Sequence, residues 1–183
     1  LETSPFRVLE RLPLSRPPVP GTLVMLQQHS MGAVAMRDPG GLGDAVSVFA
    51  TRPPEALFEI PVPGGVRSLA FERGGEFLYV ACAEGNNVAI VDLARRRVVD
   101  LLHMPGRPCF LMTDPTARRV WAACERVGHV ALIDVWTQET VKRVFAPGLD
   151  GAGNRPVCSL DGRLVAIPES GNPCVSLVDA GTM

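Results

Sequence analysis

A single phrase recurs along this chain every 42 to 45 residues, and no other feature limits its fold as sharply. Phe77-Leu78-Tyr79-Val80-Ala81-Cys82, a loop and Val88-Ala89-Ile90-Val91-Asp92 make one copy. Val120-Trp121-Ala122-Ala123-Cys124, a loop and Val130-Ala131-Leu132-Ile133-Asp134 make the next. Leu164-Val165-Ala166-Ile167, a loop and Val175-Ser176-Leu177-Val178-Asp179 make a third. Each copy pairs two short apolar runs across a turn, which is the pattern of a strand hairpin.

Extending each copy outward gives four strands, A to D. The best-formed unit places them at 67–71, 77–82, 88–92 and 97–103, with glycine and asparagine where the turns need positive φ. The next unit repeats them at 108–113, 120–124, 130–134 and 140–145, and the last at 156–159, 163–167 and 173–179. A weaker first unit reads 22–27, 33–36, 45–49 and 56–60. Several short strands per unit at this period specify a β-propeller. Strands B and C are apolar at nearly every position, so both faces must be covered. Strand D mixes Val141, Val144 and Phe145 with Lys142 and Arg143, as a half-exposed outer strand does. A β-sandwich would show alternation in most strands instead.

The expectation is therefore an all-β chain, one β-propeller domain over 1–183, with about four blades of four antiparallel strands each. The blades fall at 15–61, 66–103, 107–146 and 154–183. Both terminal units look cut within a repeat, so the arc is expected to belong to a larger ring of seven or eight blades. Residues 6–14 read as a D strand from a preceding blade; alternatively they complete the fourth blade and close a four-bladed ring. An open arc would expose apolar faces on its end blades, to be met by the rest of the ring or by self-association.

Tyr79-Val80-Ala81-Cys82, Asn87-Val88-Ala89-Ile90-Val91-Asp92 and Arg97-Val98-Val99 resemble the YVTN family of β-propeller repeats. Asp161-Gly162-Arg163 is similar to that family's A–B turn. The resemblance covers 66–179 well and 6–61 weakly. Cys82, Cys124 and Pro168 stand where the family often has asparagine, and Trp121 replaces its tyrosine. The resemblance implies a propeller and a periplasmic or secreted location. It extends to lactonase-related and haem d1-bearing propellers, and it leaves the activity open.

Composition excludes more than it assigns. A net charge of −1 gives no global pull towards nucleic acid, and 5% aromatic content supplies few bases with a stacking partner. No apolar run reaches the ~20 residues of a membrane helix, and no signal peptide is visible after Leu1. His29, His103 and His129 are scattered, so neither a metal nor another cofactor is expected. The five cysteines form no C-x-x-C pair and read as small buried hydrophobes. A cross-strand disulfide between Cys109 and Cys124 is the alternative for that pair.

The recurrent polar feature is arginine at the start of strand A: Arg16-Pro17, Arg107-Pro108 and Arg155-Pro156, with Arg67 nearby in the second unit. Strand A is innermost in a propeller, so these side chains are expected at one mouth of the axis. Gathered guanidinium groups grip carboxylate or phosphate bidentately. The blander alternative is solvated arginines beside carboxylates. His103, Glu84, Asn87, Glu125, Asn154 and Glu169 are expected on the same face. Asp92, Asp134 and Asp179 close strand C, where aspartate serves the following turn through its backbone N–H groups. The function expected is a non-catalytic binding or scaffold module for a protein or small anionic ligand. The alternative is an enzyme or redox module whose catalytic residues lie largely outside this segment.

Overall fold

The computed structural model describes residues 10–41, 43–114, 119–146, 155–169 and 173–179. Its strands form four antiparallel meander sheets, each strand bonded to its neighbour in sequence. The first holds β1 (Val24–Leu26), β2 (Met31–Met36), β3 (Asp44–Thr51) and β4 (Pro54–Val62). The second holds β5 (Val66–Phe71), β6 (Phe77–Cys82), β7 (Asn87–Asp92) and β8 (Arg97–His103). The third holds β9 (Arg107–Thr113), β10 (Arg119–Glu125), β11 (His129–Asp134) and β12 (Thr140–Phe145). The fourth shows β13 (Val157–Cys158), β14 (Leu164–Pro168) and β15 (Val175–Asp179). The chain is an all-β propeller arc of four blades.

Apolar residues at every position of strand B follow from packing on two sides. Along β6, Leu78, Val80 and Cys82 face the first blade, with Val46, Val48 and Ile60. Tyr79 and Ala81 face the third, with Val120, Ala122 and Ile133. One blade on, Trp121 and Ala123 meet Val165 and Ile167 of the fourth. Side chains alternate across a strand, so a run with no polar break is what two covered faces require. The outer strands β8 and β12 are largely exposed or half-buried, as their mixed composition demands.

Three expectations change. Residues 10–14 form no strand and pair with no strand of the fourth blade, while 6–9 lie outside the described residues. Pro13 removes an N–H that a ladder would need in the middle of this stretch. Leu12 and Leu14 instead border an apolar groove with Val19, Leu23, Val34 and Phe49, over the outer face of the first blade. Among the described residues, then, nothing of this segment closes a four-bladed ring. Strand A of the first blade is also shorter than expected, because Gly21 (φ +77°) and Pro20 break it. The buried Thr22 splices the gap: its hydroxyl donates to Val19 O at 2.7 Å and accepts Ala35 N–H at 3.1 Å.

The third change concerns the cysteines: all five are free thiols, and Cys82, Cys109 and Cys124 are buried as expected, but Cys158 is only half-buried and Cys174 is exposed. Cys109 packs toward the fourth blade and Cys124 toward the second, so opposite faces of one sheet separate the pair proposed for a disulfide. At the far end, β15 alternates between exposed and half-buried residues. Leu177 is 68% exposed and Val175 57%, which leaves an uncovered apolar face.

Candidate functional site

The mouth is built from the B–C loops and the D–A connections of successive blades. Two irregularities in strand A aim side chains into it. Val66 pairs with Cys82 and Ser68 with Ala81, leaving Arg67 as the extra residue of a β-bulge. In the third blade Pro108 pairs with Cys124 and Phe110 with Ala123, leaving Cys109 in the same place. A bulged residue is released from the ladder and its side chain is re-aimed.

Register puts Arg67 and Cys109 in one column, three residues before Ala70 and Met112, which lie opposite Tyr79 and Trp121. Gly21 likewise stands three residues before Val24, opposite Ala33. In the fourth blade Val157, opposite Ala166, is the counterpart of Met112, so Arg155 stands one place further along strand A, level with Ser68 and Phe110. Together the four blades enclose a cavity of about 240 Å³, lined by Val19, Pro20, Gly21, Arg37, Arg67, Cys109, Phe110 and Arg155. Three guanidinium groups border it and no carboxylate does. Among the described residues none of the three makes an ion pair. Arg155 lies 5.9 Å from the Phe110 ring centre, over its face. Its Nη2 also stands 3.3 Å from where a Gly21 Cβ would be, so glycine makes room for it.

A second cavity, of about 430 Å³, shares Arg37 and Arg67 and adds Arg107 with Asp38, Asp44 and Glu84. Its charges are largely committed. Arg107 Nε lies 3.5 Å from Glu125 Oε1, and Arg16 reaches Asp38 at 4.0 Å and Gly43 O at 3.4 Å. The buried Asp44 accepts Val66 N–H at 2.9 Å and Asp38 N–H at 3.3 Å, tying the Arg37 loop to the start of β5. Glu84 folds over Gly64 and Gly65, where a Cβ would fall 2.7 Å and 2.6 Å from its side chain.

Of the residues singled out by sequence, Arg67, Arg107, Arg155 and Glu84 border the mouth, and Glu125 holds Arg107 there. Arg16 lines neither cavity. The three Arg-Pro pairs also occupy different register columns: Pro18, not Pro17, is the counterpart of Pro108, and Arg155 matches Phe110 rather than Arg107. His103 ends the outer strand opposite Asn87, is exposed, and stays out of the mouth. Asn154 lies outside the described residues. Glu169 accepts hydrogen bonds from Cys174 and Ser176 within the last hairpin.

Sequence reasoning missed Arg37. It follows Met36, which bridges to Pro18 as Cys124 pairs with Pro108, and so it occupies the column of Glu125. Ending strand B of the first unit at 36 left Arg37 to the longer, glycine-rich 37–44 loop and concealed that match. Cys109 was also missed as a mouth residue. Burial and then Glu125 push its thiol up to about 11, so it stays a neutral S–H at ordinary pH. Asp92 and Asp134 serve their turns as expected. Asp92 takes Arg95 N–H at 2.7 Å, and Asp134 takes Trp136 and Thr137 N–H at 2.8 and 3.0 Å. No helix of the described residues is long and apolar enough to cross a membrane.

No protein-family model and no curated protein sequence matches the chain. Solved structures do. Hydrazine synthase of Kuenenia stuttgartiensis superposes with a TM-score of 0.78 at 19% identity, over 97% of this chain and 50% of that one. A protein of unknown function from Desulfotomaculum acetoxidans gives 0.73 at 13% identity, over 88% and 52%. The β-propeller domain of Cps50 (Swd1) from Myceliophteria thermophila gives 0.66 at 16%, over 88% and 52%. At these identities the likeness is one of fold, and the chain spans about half the length of each.

Proposed function

We propose that this chain is a segment of a YVTN-type propeller acting as a non-catalytic binding module, with a small anion held at the axial mouth. The observation that supports it is the cavity bordered by Arg37, Arg67 and Arg155, to which all four blades contribute and which no carboxylate enters. Guanidinium groups free of ion pairs in a walled recess attract carboxylate or phosphate more strongly than the same groups in open solvent. The neighbouring cavity, with carboxylates and arginines in equal number, is a rim that orients the arginines. Asp44 is the positioning residue, since its carboxylate joins the Arg37 loop to Val66 beside Arg67. On the same reading, the apolar face of the fourth blade belongs against a further blade of the ring.

The test is calorimetric titration of the chain with orthophosphate and with malonate, against the double variant Arg67→Gln, Arg155→Gln. Both residues are exposed, so the fold is expected to survive. Binding by the native chain and a loss of roughly tenfold or more in the variant supports the proposal. Equal affinities in a variant of native melting temperature refute it.

A further inference from the structure

The opposite face, made of A–B and C–D turns, carries a second recess that the anion site does not involve. It has a volume of about 610 Å³ and is lined by Gln28, His29, Glu72, Arg73, Gly74, Glu76, Phe77, Val135, Trp136 and Gln138. Three blades meet there. We propose that this recess binds an alkylammonium group, a free primary amine or a lysine side chain, with Glu72 as its counter-charge and Trp136 as its outer wall.

Glu72 carries the argument. The residue is only 6% exposed, and its Oε1 has no hydrogen-bond partner. A buried carboxylate oxygen without a donor is costly, and a native protein that retains one has a reason for it. Glycine at 74 leaves the carboxylate its space, since a Cβ there would collide with Glu72 Oε1. The A–B turn is fixed by Glu72 N–H to Phe77 O at 3.0 Å and Gly75 N–H to Glu72 O at 3.2 Å. The carboxylate is thus preorganised before any ligand arrives.

The rest of the recess suits an alkyl stem. Phe77 and Val135 are partly buried against the core between the second and third blades. Trp136 is 83% exposed and lines the recess, so its indole is open to a ligand there. Its backbone is not loose, because Asp134 Oδ1 accepts the N–H groups of both Trp136 and Thr137. An aromatic face near a carboxylate favours a cation twice, through the ring quadrupole and through charge. Glu72 and Glu76 outnumber Arg73, which also borders the axial groove beside Asp114. A buried carboxylate at the floor of the recess suits the compact point charge of an ammonium better than the two-pronged guanidinium fork.

The full chain is to be titrated with n-butylammonium and with Nα-acetyl-lysine methylamide, followed by Trp136 fluorescence and calorimetry. The uncharged counterparts are 1-butanol and the Nε-acetylated lysine derivative. Saturable binding of either cation, with none of its neutral counterpart, supports the site. Preference between the two tells a peptide side chain from a free amine. Glu72→Gln, which keeps the shape, is expected to weaken binding roughly tenfold or more. Trp136→Ala, at an exposed position that cannot upset the core, is expected to weaken it several-fold by calorimetry. The proposal falls if neither cation binds, if the neutral compounds bind equally, or if Glu72→Gln with native melting binds as tightly. Should Glu72→Gln not fold, unchanged affinity in Trp136→Ala overturns it.

Discussion

Ser68 Oγ accepts the backbone N–H of Leu111 at 3.0 Å, joining the innermost strands of the second and third blades. A companion bond runs from Thr113 Oγ1 to Phe71 O at 2.5 Å. Both Ser68 and the Leu111 backbone are buried, so water has no ready way to replace the lost acceptor. Ser68→Ala is expected to cost about 1–3 kcal/mol, the usual penalty for stranding a buried donor. Urea denaturation checks this: the midpoint falls with an unchanged slope. No change in midpoint would mean the blades are held by apolar packing alone.

Tyr79 and Trp121 occupy the same register position in successive blades, and each keeps a buried polar atom without a partner. Their predicted responses differ. Trp121 fills the core against Val165 and Ile167, so Trp121→Ala is expected to destabilise by about 3–5 kcal/mol. Tyr79→Phe removes only the unpartnered hydroxyl. It is expected to be neutral or slightly stabilising in thermal melts, since no bond is lost and a desolvated dipole is relieved. A loss of more than about 1 kcal/mol would reveal a hydrogen bond to Tyr79 Oη.

Burial first of all pushes the thiols of Cys82 and Cys124 up to about 12 and that of Cys109 to about 11 from an ordinary 9.0. The unfolded chain therefore loses these protons first as pH rises. Their contribution to stability is complete below about pH 9 and declines as pH climbs from there towards 11–12. Equilibrium unfolding at pH 8 and pH 10.5 is expected to show lower stability at the higher pH. Iodoacetamide at pH 8, read by mass spectrometry, is expected to label exposed Cys174 and spare these three.

Asp44 touches no ligand in the anion reading, yet its loss is expected to weaken the mouth. Asp44→Ala strands Val66 N–H beside Arg67 and frees the loop that carries Arg37. Malonate affinity is expected to fall several-fold and stability by about 1–3 kcal/mol. Asp44→Asn keeps one acceptor oxygen for two N–H donors, so it should recover only part of both. Unaltered affinity in Asp44→Ala, with the stability loss present, would confine the residue to a structural part.

The exposed apolar side chains of the last blade give a prediction about assembly. Val175 and Leu177 lie on a face that the described residues leave uncovered. Sedimentation velocity is expected to show concentration-dependent association of this chain, reduced by Leu177→Glu. A monomer at all concentrations would mean that face needs no neighbour.

The blades were legible in the sequence because each core position repeats and each strand must satisfy two packed faces at once. Leu78 and Tyr79 point to different blades, and only an unbroken apolar run permits that. The mouth was less legible. Arg67 was recognised, but its orientation depends on a bulge, which adds one residue without altering composition. Matching arginines by the following proline misaligned Arg16, Arg107 and Arg155, because strand pairing, not the proline, sets register. Arg37 was hidden for the same reason. His103 looked central because it ends a strand near the D–A loop, yet its strand is the outermost of the blade.

The bulge column of Arg67 and Cys109 has a consequence for how such a molecule changes its habits. Neither residue takes part in the ladder, so the hydrogen-bonded frame does not dictate what stands there, even though Cys109 also packs toward the fourth blade. Selection can therefore rewrite the chemistry of the opening one letter at a time while the frame stays untouched. A family built on this plan would keep its shape and diverge in what it holds, with its differences concentrated in a single vertical line of the aligned repeats.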